Sequence, residues 1–121
     1  MKEGNYMTNA WIKNHVYNLM IDSTKKEFVV IKKSKLLLQT QRIIPFCNVK
    51  KIKLLIKNKE LYVTFYIKNY SPYILTFPIC YIDNNDFTVF MILLNNSHLL
   101  IEDAQNIIEI ALKNDIYLKN L

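Results

Sequence analysis

Between Val49 and Lys68 the chain alternates so regularly that only one local structure satisfies it. In Val49–Lys57, residues Ile52, Leu54 and Ile56 face one way and Lys51, Lys53, Leu55 and Lys57 the other. Over 60–68, Leu61, Val63, Phe65 and Ile67 share one face, with Tyr62, Thr64, Tyr66 and Lys68 opposite. A period of two is that of a strand with one buried side. A two-residue turn at Asn58-Lys59 pairs Ile56 with Leu61, Leu54 with Val63 and Ile52 with Phe65. Every inward pair is then apolar, and a slip of one residue buries the lysines.

The remaining segments are read around this hairpin. Residues 6–21 carry both a helical stripe and an alternating pattern, and predict a short helix over 6–13 followed by a strand over 15–22. Asp22-Ser23-Thr24-Lys25 reads as a turn. The β-branched run 27–32 and the segment 36–41 predict two more strands, with a turn at Ser34-Lys35 between them. Pro45, lacking an amide proton, makes 43–46 an extended corner. Residues 73–82 read as a strand interrupted or edged at Pro78, and 83–86 as a turn. The apolar run 87–94 has the length of a strand or a buried helix, and its Thr, Val and Ile content predicts a strand. Asn95-Asn96-Ser97 offers an N-cap to an apolar stripe of Leu100, Ala104, Ile107, Ile108, Ala111 and Leu112. That stripe predicts a helix over 98–113, ended by Asn114, with Glu102 and Asp103 near its start and Lys113 near its end, as the helix dipole favours.

One domain spanning 1–121 follows, β-rich over 15–94, with one C-terminal amphipathic helix. A single glycine, Gly4, leaves the turns to Asn, Asp, Ser and Lys. Cys47 and Cys80 lie far apart in a chain whose opening residues show no apolar signal-peptide core, which predicts reduced, buried thiols. The expected location is cytoplasmic, with peripheral membrane association left open and no transmembrane segment. Lys, Asn, Ile, Tyr and Phe supply 60 of the 121 residues. All have A/T-rich codons, so part of the lysine content reflects low-GC coding.

That coding bias does not account for the distribution of charge. Residues 1–70 carry fourteen Lys/Arg against four acids, whereas 71–121 carry two against six. A basic surface on one side of the molecule is expected, and such a surface attracts phosphates or acidic partners.

The fold class expected is α+β and mostly antiparallel, with about seven short strands and a final helix. That order resembles the pleckstrin-homology-like barrel, in which a bent seven-stranded sheet is closed at one end by a helix. The segment Ile44-Pro45-Phe46-Cys47-Asn48-Val49-Lys50-Lys51-Ile52 is similar to the corner into the fourth strand of many such domains. The tryptophan that many eukaryotic members carry in the last helix has no counterpart, since Trp11 is the only one. The resemblance implies a partly open barrel that serves as a binding scaffold for phosphoinositides, peptides or partner proteins.

The candidate site is the outer hairpin face, with Lys51, Lys53, Lys57, Tyr62, Tyr66 and Lys68. Lys50 and Lys59 stand at its margins, and Lys32, Lys33 and Lys35 come from the preceding hairpin. Lysines neutralise anions, and the rings stack on bases or rest at a lipid interface. A plain solvated face whose lysines discourage edge aggregation is the alternative. Arg42 is the only arginine, which weighs against sequence-specific DNA readout.

His15, His98, Cys47 and Cys80 lack the paired spacing of structural zinc sites. No third group is recognisable to orient a Cys/His nucleophilic pair. No metal, no cofactor and no enzymatic activity are therefore expected. The function expected is a small binding module engaging an acidic protein partner or an anionic membrane surface. The alternatives are a sequence-tolerant nucleic-acid-binding accessory protein of a low-GC bacterium, phage or plasmid, and an inhibitor or immunity-type protein.

Overall fold

The computed structural model describes residues 8–33 and 39–113. Seven strands, β1 (Asn9–Lys13), β2 (Tyr17–Asp22), β3 (Glu27–Lys33), β4 (Gln39–Pro45), β5 (Val49–Lys57), β6 (Glu60–Ile67) and β7 (Tyr73–Pro78), pair antiparallel with their sequence neighbours in two groups. β1 to β4 form one four-stranded sheet in sequence order. β7, β6 and β5 form the other, completed by a two-residue parallel strand, β8 (Ile101–Glu102), on the outer edge of β5. Two helices, α1 (Asn84–Asn95) and α2 (Ile107–Leu112), complete the α+β architecture. The sheets face each other without closing into a barrel.

A single core lies between them. Phe28 of β3 meets Phe65 of β6 edge to face, with ring centroids 4.9 Å apart. Ile12, Leu19, Ile21, Ile52 and Leu61 are buried around that contact. The expected hairpin register is observed: Ile56 opposite Leu61, Leu54 opposite Val63, Ile52 opposite Phe65. Sliding it by one residue would expose side chains worth about 1.5–3 kcal/mol each and bury lysines in their place. The turn is glycine-free, with φ of 54° at Asn58 and 63° at Lys59, the left-handed pair that matches strand twist. A bulge between Val49 and Lys51 absorbs Lys50, which lets Val49 and Ile52 both reach the core although three positions apart.

Several expectations are overturned. Residues 9–13, expected to be helical, form β1, because Ala10 and Ile12 alternate into the core while their backbones pair with β2. The strand expected over 87–94 is helix α1. Asp83 is its N-cap rather than part of a turn, accepting the Asp86 N–H at 2.9 Å. Phe87, Phe90, Met91 and Leu94 then fall on one buried helical face. Asn95-Asn96-Ser97 closes this helix instead of opening the next: Asn96 is its C-cap, and the Ser97 hydroxyl donates to the Leu94 carbonyl.

The helix expected over 98–113 is confined to Ile107–Leu112. Residues 101–102 pair with β5, and the Asp103 carboxylate caps the helix by accepting the N–H groups of Ile107 and Ile108. The strand over 73–82 stops at Pro78 and passes into a single 3-10 turn. Both cysteines are free and exposed, not buried. The Ser34-Lys35 turn and the helix end at Asn114 lie outside the described residues. No helix among the described residues is long and apolar enough to cross a membrane.

Candidate functional site

The hairpin's outer face forms because β5 and β6 bury alternate residues and must turn the others outward. Across it, Lys51 lies opposite Tyr66, Lys53 opposite Thr64, Leu55 opposite Tyr62 and Lys57 opposite Glu60. The Lys51 ammonium stands 4.9 Å from the Tyr66 ring centroid, within reach of a cation–π attraction. Thr64 is only 8% exposed, although it lies on the outward side of the ladder between Tyr62 and Tyr66. Lys51 and Lys53 are half-buried, whereas Lys50, Lys57, Lys59 and Lys68 are exposed. The bulge leaves Lys50 beside Lys51 at one end of the row.

Glu102 belongs to this face and was not foreseen there. β8 pairs parallel to β5 with Glu102 beside Lys53, which brings its carboxylate between two ammonium groups. Oε1 is 2.8 Å from Lys51 Nζ, and Oε2 is 3.8 Å from Lys53 Nζ. The hydrogen bond from Lys51, then its charge, holds the Glu102 carboxyl below the ordinary glutamate range. The same bond and the same carboxylate charge raise the Lys51 ammonium above its ordinary value. With Glu60 opposite Lys57, two carboxylates border the lysine row. The face therefore carries charge of both signs.

The other expected residues are more dispersed. Lys32 and Lys33 sit on β3 of the first sheet, opposite Thr40 and Gln39. Lys33 Nζ donates to the Asn14 carbonyl at 3.2 Å. Lys68 lies just past β6, its N–H bonded to the Asn48 carbonyl at the corner. Lys35 lies outside the described residues. The structure thus gathers Lys51, Lys53, Lys57, Tyr62 and Tyr66 on one face and leaves Lys32 and Lys33 on the other sheet.

Among the described residues, clefts also lie away from this face. One, of about 710 Å³, runs between the β2–β3 turn and the end of α1, lined by Lys25, Lys26, Phe46, Cys47, His98 and Leu99 among others. It brings Cys47 and His98 into one cleft without a hydrogen bond between them. The Cys47 thiol lies instead 3.8 Å from Asn48 Oδ1. Another, of about 480 Å³, follows β4 and includes Arg42, Ile43, Ile44, Asn48, Ile67 and Tyr70 in its lining. A lone arginine among fifteen lysines was the one sequence signal for this second cleft. Among the described residues, no group of three or more His, Cys, Asp or Glu side chains is placed to hold a metal ion. Comparison with protein-family models, with curated proteins and with solved structures finds no significant match, so the meaning of these surfaces rests on their own geometry.

Proposed function

We propose that this chain is a non-enzymatic binding module that docks the β5–β6 outer face onto an acidic protein surface. The observation that carries this reading is the Lys51–Glu102–Lys53 arrangement. One carboxylate is shared by two ammonium groups beside a tyrosine ring, with Lys57 two positions beyond Leu55 on the same strand. A partner's Asp or Glu would be held by the same chemistry at Lys57 and Lys50, which have no ion pair among the described residues. Tyr62 and Tyr66 would supply ring area at low entropic cost.

Glu102 and Glu60 favour a protein over a polyphosphate. Fixed carboxylates within the lysine row repel a continuous phosphate backbone, while a patterned protein surface can meet both signs. A pleckstrin-homology-like scaffold belongs to the same reading. What argues for it is the sequential antiparallel order of β1 to β7, while the two open sheets and the α1–β8–α2 ending depart from it.

The test uses three probes on the full chain: polyglutamate, duplex DNA and anionic phosphatidylserine vesicles. Polyglutamate is expected to bind best, and the Lys51→Glu/Lys53→Glu/Lys57→Glu variant is expected to lose that binding while its circular dichroism is unchanged. Unchanged binding by the folded triple variant overturns the reading. Stronger, steeply salt-dependent binding to DNA would favour the nucleic-acid alternative, and preference for the vesicles a membrane surface.

A further inference from the structure

β4 is a sheet edge whose hydrogen-bonding groups can be assigned from the ladder. The Lys33 N–H donates to the Val16 carbonyl, so the odd residues of β3 exchange bonds with β2. The even residues Phe28, Val30 and Lys32 therefore exchange bonds with β4, through Ile44, Arg42 and Thr40. The Phe46 N–H to Lys26 carbonyl bond continues that alternation. Gln41 and Ile43 consequently turn their N–H and C=O groups away from the sheet, and among the described residues nothing meets them. The two donors and two acceptors repeat at strand spacing, about 7 Å from Gln41 to Ile43.

The cleft of about 480 Å³ runs beside this edge and has the β6–β7 turn as its far wall. Arg42 projects into the seam between the sheets. Its guanidinium is 4.3 Å from the Tyr73 ring centroid and 6.0 Å from that of Tyr70. It makes no ion pair among the described residues. Tyr70 is 70% exposed and Ile43 50%, so the cleft offers arginine, tyrosine and isoleucine together, with tyrosine and arginine common anchors of protein interfaces.

We propose that an extended acidic peptide segment of a partner protein adds to β4 as a fifth strand in this seam. Its backbone would pair with Gln41 and Ile43. Side chains on its inward face would meet Arg42 at one position and the Ile44–Ile67 floor two positions away. The recognised pattern is an acidic residue and an aliphatic residue separated by one position. A peptide fits better than a phosphate or a lipid headgroup because a second backbone presents donors and acceptors alternately at the spacing of the outward groups, which a headgroup does not. This site is separate from the lysine face, and the two can fail independently.

A display library of random short peptides, selected on the full chain, tests the proposal. Enriched peptides are expected to carry the acidic and aliphatic pair. On addition of the best synthetic peptide, amide exchange at Gln41 and Ile43 is expected to slow by about tenfold or more. Ile43→Pro removes one outward N–H at an edge position that tolerates proline, and should weaken binding by about tenfold. Arg42→Gln should do so by at least as much. The proposal is overturned if no peptide is enriched, if the pair is absent, or if the Gln41 and Ile43 amides in the unmutated chain keep their exchange rates. Binding that survives Ile43→Pro but is lost in the Lys51→Glu/Lys53→Glu/Lys57→Glu variant would assign the peptide to the lysine face instead.

Discussion

The outer edges of β5 and β4 make an instructive contrast. Both strands are long enough to template another, and exposed edges of that kind invite unwanted pairing. On β5 the edge is occupied at Ile52, Lys53 and Ile56. The Ile52 N–H donates to the Leu100 carbonyl at 2.9 Å, and β8 pairs alongside. Where β8 stops, the side-chain amide of Gln105 takes over. Its Oε1 accepts the Ile56 N–H at 2.7 Å, and its Nε2 donates to the Ile56 carbonyl at 2.9 Å. One side chain there reproduces both bonds of a ladder pair. On β4 the outward groups of Gln41 and Ile43 meet no described residue, and the neighbouring surface is aromatic and cationic. The chain thus seals part of one edge with its own residues and leaves a second beside a lined cleft.

That contrast can be tested by opening what is sealed. Gln105→Ala should have the largest effect, about 2–3 kcal/mol in urea denaturation, because both Ile56 backbone groups lose their partner. Tyr17→Phe comes next. The Tyr17 hydroxyl accepts the Thr76 N–H at 2.6 Å and donates to the Thr76 carbonyl at 3.0 Å, guarding the free edge of β7. Its loss should cost about 1–2 kcal/mol.

The smallest change concerns Glu102 on β8. Its lowered carboxyl contributes stability above the ordinary glutamate range, which is lost as pH falls through the lowered folded value. The raised Lys51 ammonium contributes below the ordinary lysine range, and that contribution disappears as pH rises through its folded value. Glu102→Gln should therefore lower neutral-pH stability slightly, match the unmutated chain at acid pH, and so flatten the acid limb of the denaturation-midpoint profile. It should also lengthen retention on a cation exchanger. An unchanged acid limb would show that the ion pair contributes nothing to folding.

What could be read from the sequence follows the range of the interaction. The hairpin was legible because its alternation and its turn are local. The shortage of glycine also has a readable consequence: among the described residues, left-handed positions fall on Lys26, Asn58, Lys59, Asn69, His98 and Asn106, half of them asparagine. Helix α1 escapes the sequence reading although Phe87, Phe90, Met91 and Leu94 carry helical spacing, because the short run and its Thr, Val and Ile content point to a strand. Glu102 could not be found on the lysine face. Its placement depends on parallel pairing between segments about fifty residues apart, and neither segment announces the other. The lysine and tyrosine identities were therefore legible, but the carboxylate that tempers them was not.

The clasp on β7 also bears on the order of events. Asn14 Nδ2 and the Tyr17 hydroxyl reach Thr76 across about sixty residues of chain. Closing so long a loop costs entropy that is best offset once the β1–β4 sheet and the β5–β7 strands have formed. Removing either side chain is therefore expected to speed unfolding more than it slows folding, as stopped-flow kinetics would read.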